Sequence, residues 1–172
     1  MKIRLHAMRL TSVLLLTTLA LAVDIQTDYD HHVDFSKYKT YSWVKVETPD
    51  SIWDGRVRDA VNSELSKKGL TEVPSGGDLG VAAVATTHEK PTLETIYNGF
   101  GPWYWEGFGD ATTTVQNYTE GTLVVDLFDG NTKKLIWRGS ASDVLSNKAE
   151  KNTEKLNKAV EKMFSHFPPK TS

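Results

Sequence analysis

The segment best equipped for recognition chemistry is Tyr97-Asn-Gly-Phe-Gly-Pro-Trp-Tyr-Trp-Glu-Gly-Phe108. Tyr97, Phe100, Trp103, Tyr104, Trp105 and Phe108 put six of the chain's 17 aromatic residues into 12 positions, interleaved with Gly99, Gly101 and Gly107. Glycine lets a backbone turn so that bulky rings point to one side. Rings displayed that way stack on sugar faces, enter a protein interface or lie against a lipid surface. The competing expectation is a loop that folds back and caps the sheet with its own rings. A second group is His31 and His32 among Asp28, Asp30 and Asp34. Imidazole plus carboxylate is zinc-binding chemistry. Neighbouring residues of a strand point to opposite faces, however, so the pair reads as a solvated turn and no metal is expected. A third candidate is Asp126, in the apolar run Leu123–Phe128. Arg138 lies within cross-strand reach of it, and the two read as a structural pair rather than a catalytic carboxylate. His88 and His166 have no evident partner. The sequence carries no G-x-S-x-G elbow, no H-E-x-x-H, no phosphate-binding glycine loop and no dinucleotide fingerprint. Neither catalysis nor a cofactor is therefore expected.

The elements that must position these residues follow from periodicity. Val23–Asp28 and Thr40–Val46 alternate apolar and polar residues, as half-buried strands do. Ser51 with Asp54 resembles a capping box. Trp53, Val57, Ala60, Val61 and Leu65 then form one helical face. Lys67, Lys68 and Gly69 suit its C-terminus, the cations against the negative helix end and Gly in the left-handed cap. Short strands are expected at Leu70–Val73 and Leu79–Thr87, followed by a long loop over 89–111. Thr112–Tyr118 and Gly121–Phe128 read as strand, with a break near Glu120-Gly121. Asp129-Gly130-Asn131 is a hairpin turn whose Gly and Asn tolerate positive φ, and Lys133–Ala141 is the return strand. Asn147 with Glu150 opens a last helix with Leu156, Ala159, Val160, Met163 and Phe164 on one face. Consecutive hairpins separated by helices predict an α+β domain. Its sheet is mainly antiparallel, of five or six strands, with two helices on one face.

The first 22 residues differ from the rest. Lys2, Arg4 and Arg9 precede an apolar run, Leu10–Leu21, that is too short to span a bilayer. Ala20-Leu21-Ala22 has the small-x-small pattern of a cleavage site, so residues 1–22 are expected to be a signal peptide and 23–172 a single domain. The 172-residue chain carries a net charge of -2. A leader with three of its 20 basic residues and none of its 22 acidic ones leaves a mature charge of -5. Such a charge discourages binding to nucleic acid. With no cysteine, disulfides, thiolate metal sites and a cysteine nucleophile are excluded.

Several stretches resemble the domain of unknown function 4136 family, bacterial envelope proteins that are often lipoproteins. Asp34-Phe-Ser-Lys-Tyr-Lys-Thr-Tyr-Ser-Trp43 is the most distinctive, preceded by Asp28-Tyr-Asp30. Leu65-Ser-Lys-Lys-Gly-Leu70, Asp78-Leu-Gly-Val81, Tyr118–Leu127 and Lys134-Leu-Ile-Trp-Arg-Gly139 follow it. The resemblance implies an envelope location and leaves the activity open. Lipoprotein members carry an acylated cysteine at the cleavage site; this chain has none, which implies a periplasmic or secreted form without a lipid anchor. The functional expectation is a non-catalytic binding or structural domain of the envelope that uses the aromatic–glycine loop 97–108, with an envelope protein, a glycan or a lipid surface as its partner. The alternative is a hydrolase acting on an envelope polymer.

Overall fold

The computed structural model describes residues 23–97 and 111–169, and side chains within 23–90 and 117–169. The expected leader and Phe100, Trp103, Tyr104, Trp105 and Phe108 lie outside these residues; of Tyr97 only the backbone is described. The described chain runs β1 (Asp24–Tyr29), β2 (Thr40–Glu47), α1 (Ser51–Lys67), β3 (Thr71–Glu72), β4 (Leu79–Tyr97), β5 (Ala111–Asp129), β6 (Leu135–Val144) and α2 (Ala149–Ser165). A 3-10 turn, Phe35–Lys37, precedes β2.

The six strands form one sheet in the order β1-β6-β5-β4-β2-β3. The pairs β1–β6, β6–β5 and β5–β4 are antiparallel, but β4–β2 and β2–β3 are parallel. The sheet is thus mixed, with antiparallel pairs in the majority. The parallel half has a simple cause. Helix α1 sits between β2 and the next strands and carries the chain back to the end where β2 began.

Both helices cover one face. On a single rung, Trp43, Val81, Leu127, Trp137 and Tyr29 lie side by side across five strands. Successive odd positions of β4 and β5 repeat that orientation: Leu79, Val81 and Ala83, with Leu123, Val125 and Leu127, are all buried. Val57, Val61 and Leu65 of α1 and Val160, Met163 and Phe164 of α2 close over them. Fully burying one such side chain contributes roughly 1.5–3 kcal/mol, so this shared layer is the main stabilising element. Trp137 anchors it, with the Phe164 and Phe167 rings at 5.0 and 5.5 Å.

The helix starts differ from expectation. Asp50 caps α1 by accepting from the Ile52 N–H at 2.9 Å, while Asp54 accepts the Thr48 hydroxyl at 2.9 Å. The acceptor one residue earlier took the cap and left Ser51 inside the helix. At α2, Lys148 is the cap residue and makes no side-chain cap bond. Asn152 instead reaches back, accepting from the Ser146 N–H and donating to the Ser146 carbonyl. The C-terminus of α1 follows expectation, with Gly69 at φ +82° and the Leu70 N–H on the Leu65 carbonyl.

Candidate functional site: a two-stranded arm and its root

Strands β4 and β5 pair along their whole length, from Leu79–Asp129 to Tyr97–Ala111. Their outer neighbours stop early. β2 accompanies β4 only as far as Val84, and β6 accompanies β5 only from Glu120. Nine rungs, from Glu89–Thr119 to Tyr97–Ala111, therefore form a ribbon without a third strand among the described residues. At about 3.4 Å per residue the arm extends about 27 Å.

This arm overturns the loop expected over 89–111 for the residues described there, 89–97 and 111; 98–110 lie outside the described residues. β4 continues to Tyr97, β5 resumes at Ala111, and no break occurs at Glu120-Gly121. Pro91 and the charges of Glu89, Lys90 and Glu94 disguised the strand. Proline and charge are nonetheless what an edge strand tolerates. At the root, Lys90 Nζ lies 2.7 and 2.8 Å from the two carboxylate oxygens of Glu120 on the opposite strand. That carboxylate raises the lysine pKa and keeps the ammonium charged.

A hollow of about 210 Å³ lies on the helix side of this root. Trp53, Val57, Leu123, Ala141, Leu156 and Ala159 line it, and its exposed lining is mostly apolar. Lys155 and Asp143 also border it, but they pair at 3.2 Å, and Lys155 donates to the Val144 carbonyl. With its charges matched to each other, the hollow suits an apolar group rather than acid–base chemistry.

The other sequence-predicted residues lie elsewhere. His31 and His32 form a turn after β1. The His31 ring rests 4.2 Å from Tyr29, and His32 Nδ1 lies 3.2 Å from Asp30 Oδ1 with the imidazole almost fully exposed. Among the described residues no three His, Asp or Glu side chains converge as metal ligands. Asp126 and Arg138 stand directly opposite on β5 and β6, joined by bonds of 2.6 and 2.7 Å from Nε and Nη2. Ala82 and Asp28 flank them on the same rung, on the sheet face away from the helices.

The most distinctive sequence stretch, Asp34–Trp43, is a set of structural latches. Asp34 caps the 3-10 turn through Ser36, and Phe35 enters the core. The Tyr38 hydroxyl donates to Asp129 Oδ2 at 2.7 Å. The Tyr41 hydroxyl and the Trp43 indole both donate to Asn62 Oδ1 at 2.9 Å, tying β2 to α1. Burial, with the Glu72 charge nearby, pushes the Tyr41 hydroxyl up to about 12. The backbone N–H groups of Lys39 and Thr40 donate to Asp78 and hold that carboxyl below its ordinary value. The latching roles of Asn62, Asp78 and Asp129 were missed in the sequence, because the partners they hold in this stretch lie 19 or more residues away.

The family described as "Domain of unknown function (DUF4136)" matches residues 25–169. This chain belongs to that family. No curated protein matches the sequence. Among solved structures, the fold is similar to a PDZ domain protein from Parabacteroides distasonis ATCC 8503, with a TM-score of 0.58 and 16% identity. That alignment covers 88% of this chain but only 37% of the other protein, so this chain spans little more than a third of that protein's length. It is also similar to PelC from Paraburkholderia phytofirmans, solved as a dodecamer, with a TM-score of 0.51 and 8% identity over 84% and 96% of the two chains. At such identities the likeness is one of fold.

Proposed function

We propose that this family member is an exported, non-catalytic binding domain of the cell envelope that makes contact through residues 97–108. The observation that supports the reading is the arm. Nine rungs of two-stranded ribbon lead away from the helix-covered sheet and end at Tyr97 and Ala111, the two residues that bracket the aromatic–glycine segment. A ribbon of two strands is marginal alone in water. Carrying a third of the chain's aromatic residues at its end is an arrangement that contact with a partner rewards. The apolar leader with its small-x-small site supports export.

Tryptophan at a contact commonly carries about 2 kcal/mol or more, so losing two should reduce partner capture by at least about tenfold. The test is a pull-down from envelope extract with wild type and a Trp103→Ala/Trp105→Ala variant. Circular dichroism and the unfolding midpoint should be unchanged, because the core formed by the described residues draws on Trp137, Phe164 and their neighbours. Equal recovery of protein, glycan and lipid by the two forms would refute the reading.

A further inference from the structure

The arm has two long edges, and they are not alike. Backbone direction follows from two observations. Pro91 has no N–H, and it stands opposite Asn117. A proline fits a ladder only where its nitrogen points away from the neighbouring strand, so Asn117 also directs its N–H and C=O outward. Two residues on, the Thr119 carbonyl accepts the Leu145 N–H at 2.7 Å, on the side away from β4. The register is unbroken between Tyr97–Ala111 and Glu89–Thr119. Ala111, Thr113, Val115 and Asn117 therefore all present N–H and C=O groups outward from β5.

The β4 edge is guarded. Pro91 removes a donor, and Glu89, Lys90 and Glu94 add charge, the usual devices against strand addition. The β5 edge has none of them. Ala111-Thr-Thr-Thr-Val-Gln-Asn-Tyr-Thr119 contains no proline, no glycine and no charged residue, and four of its first five residues after Ala111 or including it are β-branched. Among the described residues no strand covers it before Glu120.

We infer that the β5 edge over Ala111–Asn117 pairs antiparallel with the same edge of a second copy of this chain. Charge and symmetry favour that occupant. A twofold axis sets one edge against its own copy, so an edge that carries one sign of charge meets that same sign across the axis. This stretch has no charge to repel its copy. With the axis at Thr114, Ala111 faces the second copy's Asn117 and Thr113 faces its Val115. Four outward donors and four outward acceptors on each copy are then satisfied. Two marginal ribbons become one four-stranded sheet, which is above the size at which sheets hold together. Because the β4 edges stay guarded, pairing stops at two chains.

Sedimentation velocity over a wide concentration range tests this. The wild type should move from one-chain to two-chain mass as concentration rises. Val115→Pro removes an outward donor and leaves the β4–β5 bonds in place, so it should keep the one-chain mass at every concentration with an unchanged far-UV spectrum. Should that proline unfold the arm, Thr113→Lys/Val115→Lys keeps the backbone and sets lysine opposite lysine; it should also stay at one-chain mass. A wild type that never exceeds one chain would overturn the inference and leave the edge to a strand from another protein. An assembly that survives both variants would overturn it as well.

Discussion

Asp129→Asn is expected to cost about 2–4 kcal/mol in urea unfolding, because hydrogen bonds to a charged acceptor contribute about 1.5–3 kcal/mol and a stranded buried donor costs about 1–3 more. The carboxylate is buried where β5 ends and gathers contacts from two segments, the turn that follows it and Lys37-Tyr38. Oδ1 accepts from the Asn131 N–H at 3.0 Å, the Thr132 N–H at 2.8 Å and the Thr132 hydroxyl at 3.1 Å. Oδ2 accepts from Tyr38 at 2.7 Å, and Lys37 Nζ stands 3.6 Å away. One charge thereby shapes the β5–β6 turn and fastens the segment before β2 to it. Asparagine keeps the shape but loses the charge and one acceptor, so the turn N–H groups and the Tyr38 hydroxyl compete for what remains.

The same site sets the response to pH. The Thr132 N–H and the Tyr38 hydroxyl hold the Asp129 carboxyl far below its ordinary value. A depressed carboxyl binds its proton more readily in the unfolded chain, so stability rises with pH through that window. The contribution is complete above the unfolded value near 3.9 and is lost as acid approaches the lower folded value. Tyr38 behaves in the opposite sense. Burial and the adjacent carboxylate raise its pKa, so its contribution is complete below the unfolded value near 10 and fades as pH rises beyond it. Wild type should therefore lose stability below about pH 4 and above about pH 10, the ordinary carboxyl and phenol values. Asp129→Asn should flatten the acid limb, leaving the part carried by Asp30, Asp34 and Asp78, whose carboxyls are also held below their ordinary value. An acid limb of unchanged slope would show that Asp129 is not the group responsible.

What the sequence made legible was whatever period and composition encode. The helical faces around Val61 and Val160, the Gly69 cap and the Asp129-Gly130-Asn131 turn are local patterns, and each stands where its pattern puts it. The arm was illegible because Pro91 and the charges of Glu89 and Glu94 make an edge strand look like a loop; only its pairing with β5 reveals it. The parallel half of the sheet escaped because strand direction depends on where α1 returns the chain. In the turn, the positive φ belongs to Lys133, not to Gly130 or Asn131. Gly130 is needed for another reason: a Cβ there would run into the carbonyl oxygens of Gly77 and Asp78. The Asp126–Arg138 pair was legible because the turn fixes the register between its strands. The Tyr38–Asp129 bond, 91 residues apart in sequence, was not.

Gly139→Val sets local preference against packing and should resolve in favour of packing. Glycine inside a strand costs about 0.5–1 kcal/mol relative to alanine, and valine is a strong strand former, so propensity alone predicts a more stable protein. The surroundings say otherwise. A Cβ at Gly139 would sit 2.5 Å from Met163 Sδ and 2.6 Å from Trp137 Cη2, far inside van der Waals contact. Neither neighbour can retreat cheaply. Met163 is fully buried, and the Trp137 ring is held between Phe164 and Phe167. Overpacking of this kind costs about 1–3 kcal/mol, and the second branch of valine places the expected net loss near the upper end. The absent side chain is thus what lets α2 lie directly on β6 beside β5, the strand that continues into the arm. A double-mutant cycle isolates the cause. Met163→Ala alone should cost about 2–5 kcal/mol as a cavity. In the Gly139→Ala background the new methyl group occupies part of that space, so the pair should cost at least about 1 kcal/mol less than the sum of the singles. Additive losses, or a Gly139→Val protein as stable as wild type, would mean that the helix sits on the sheet without needing the gap.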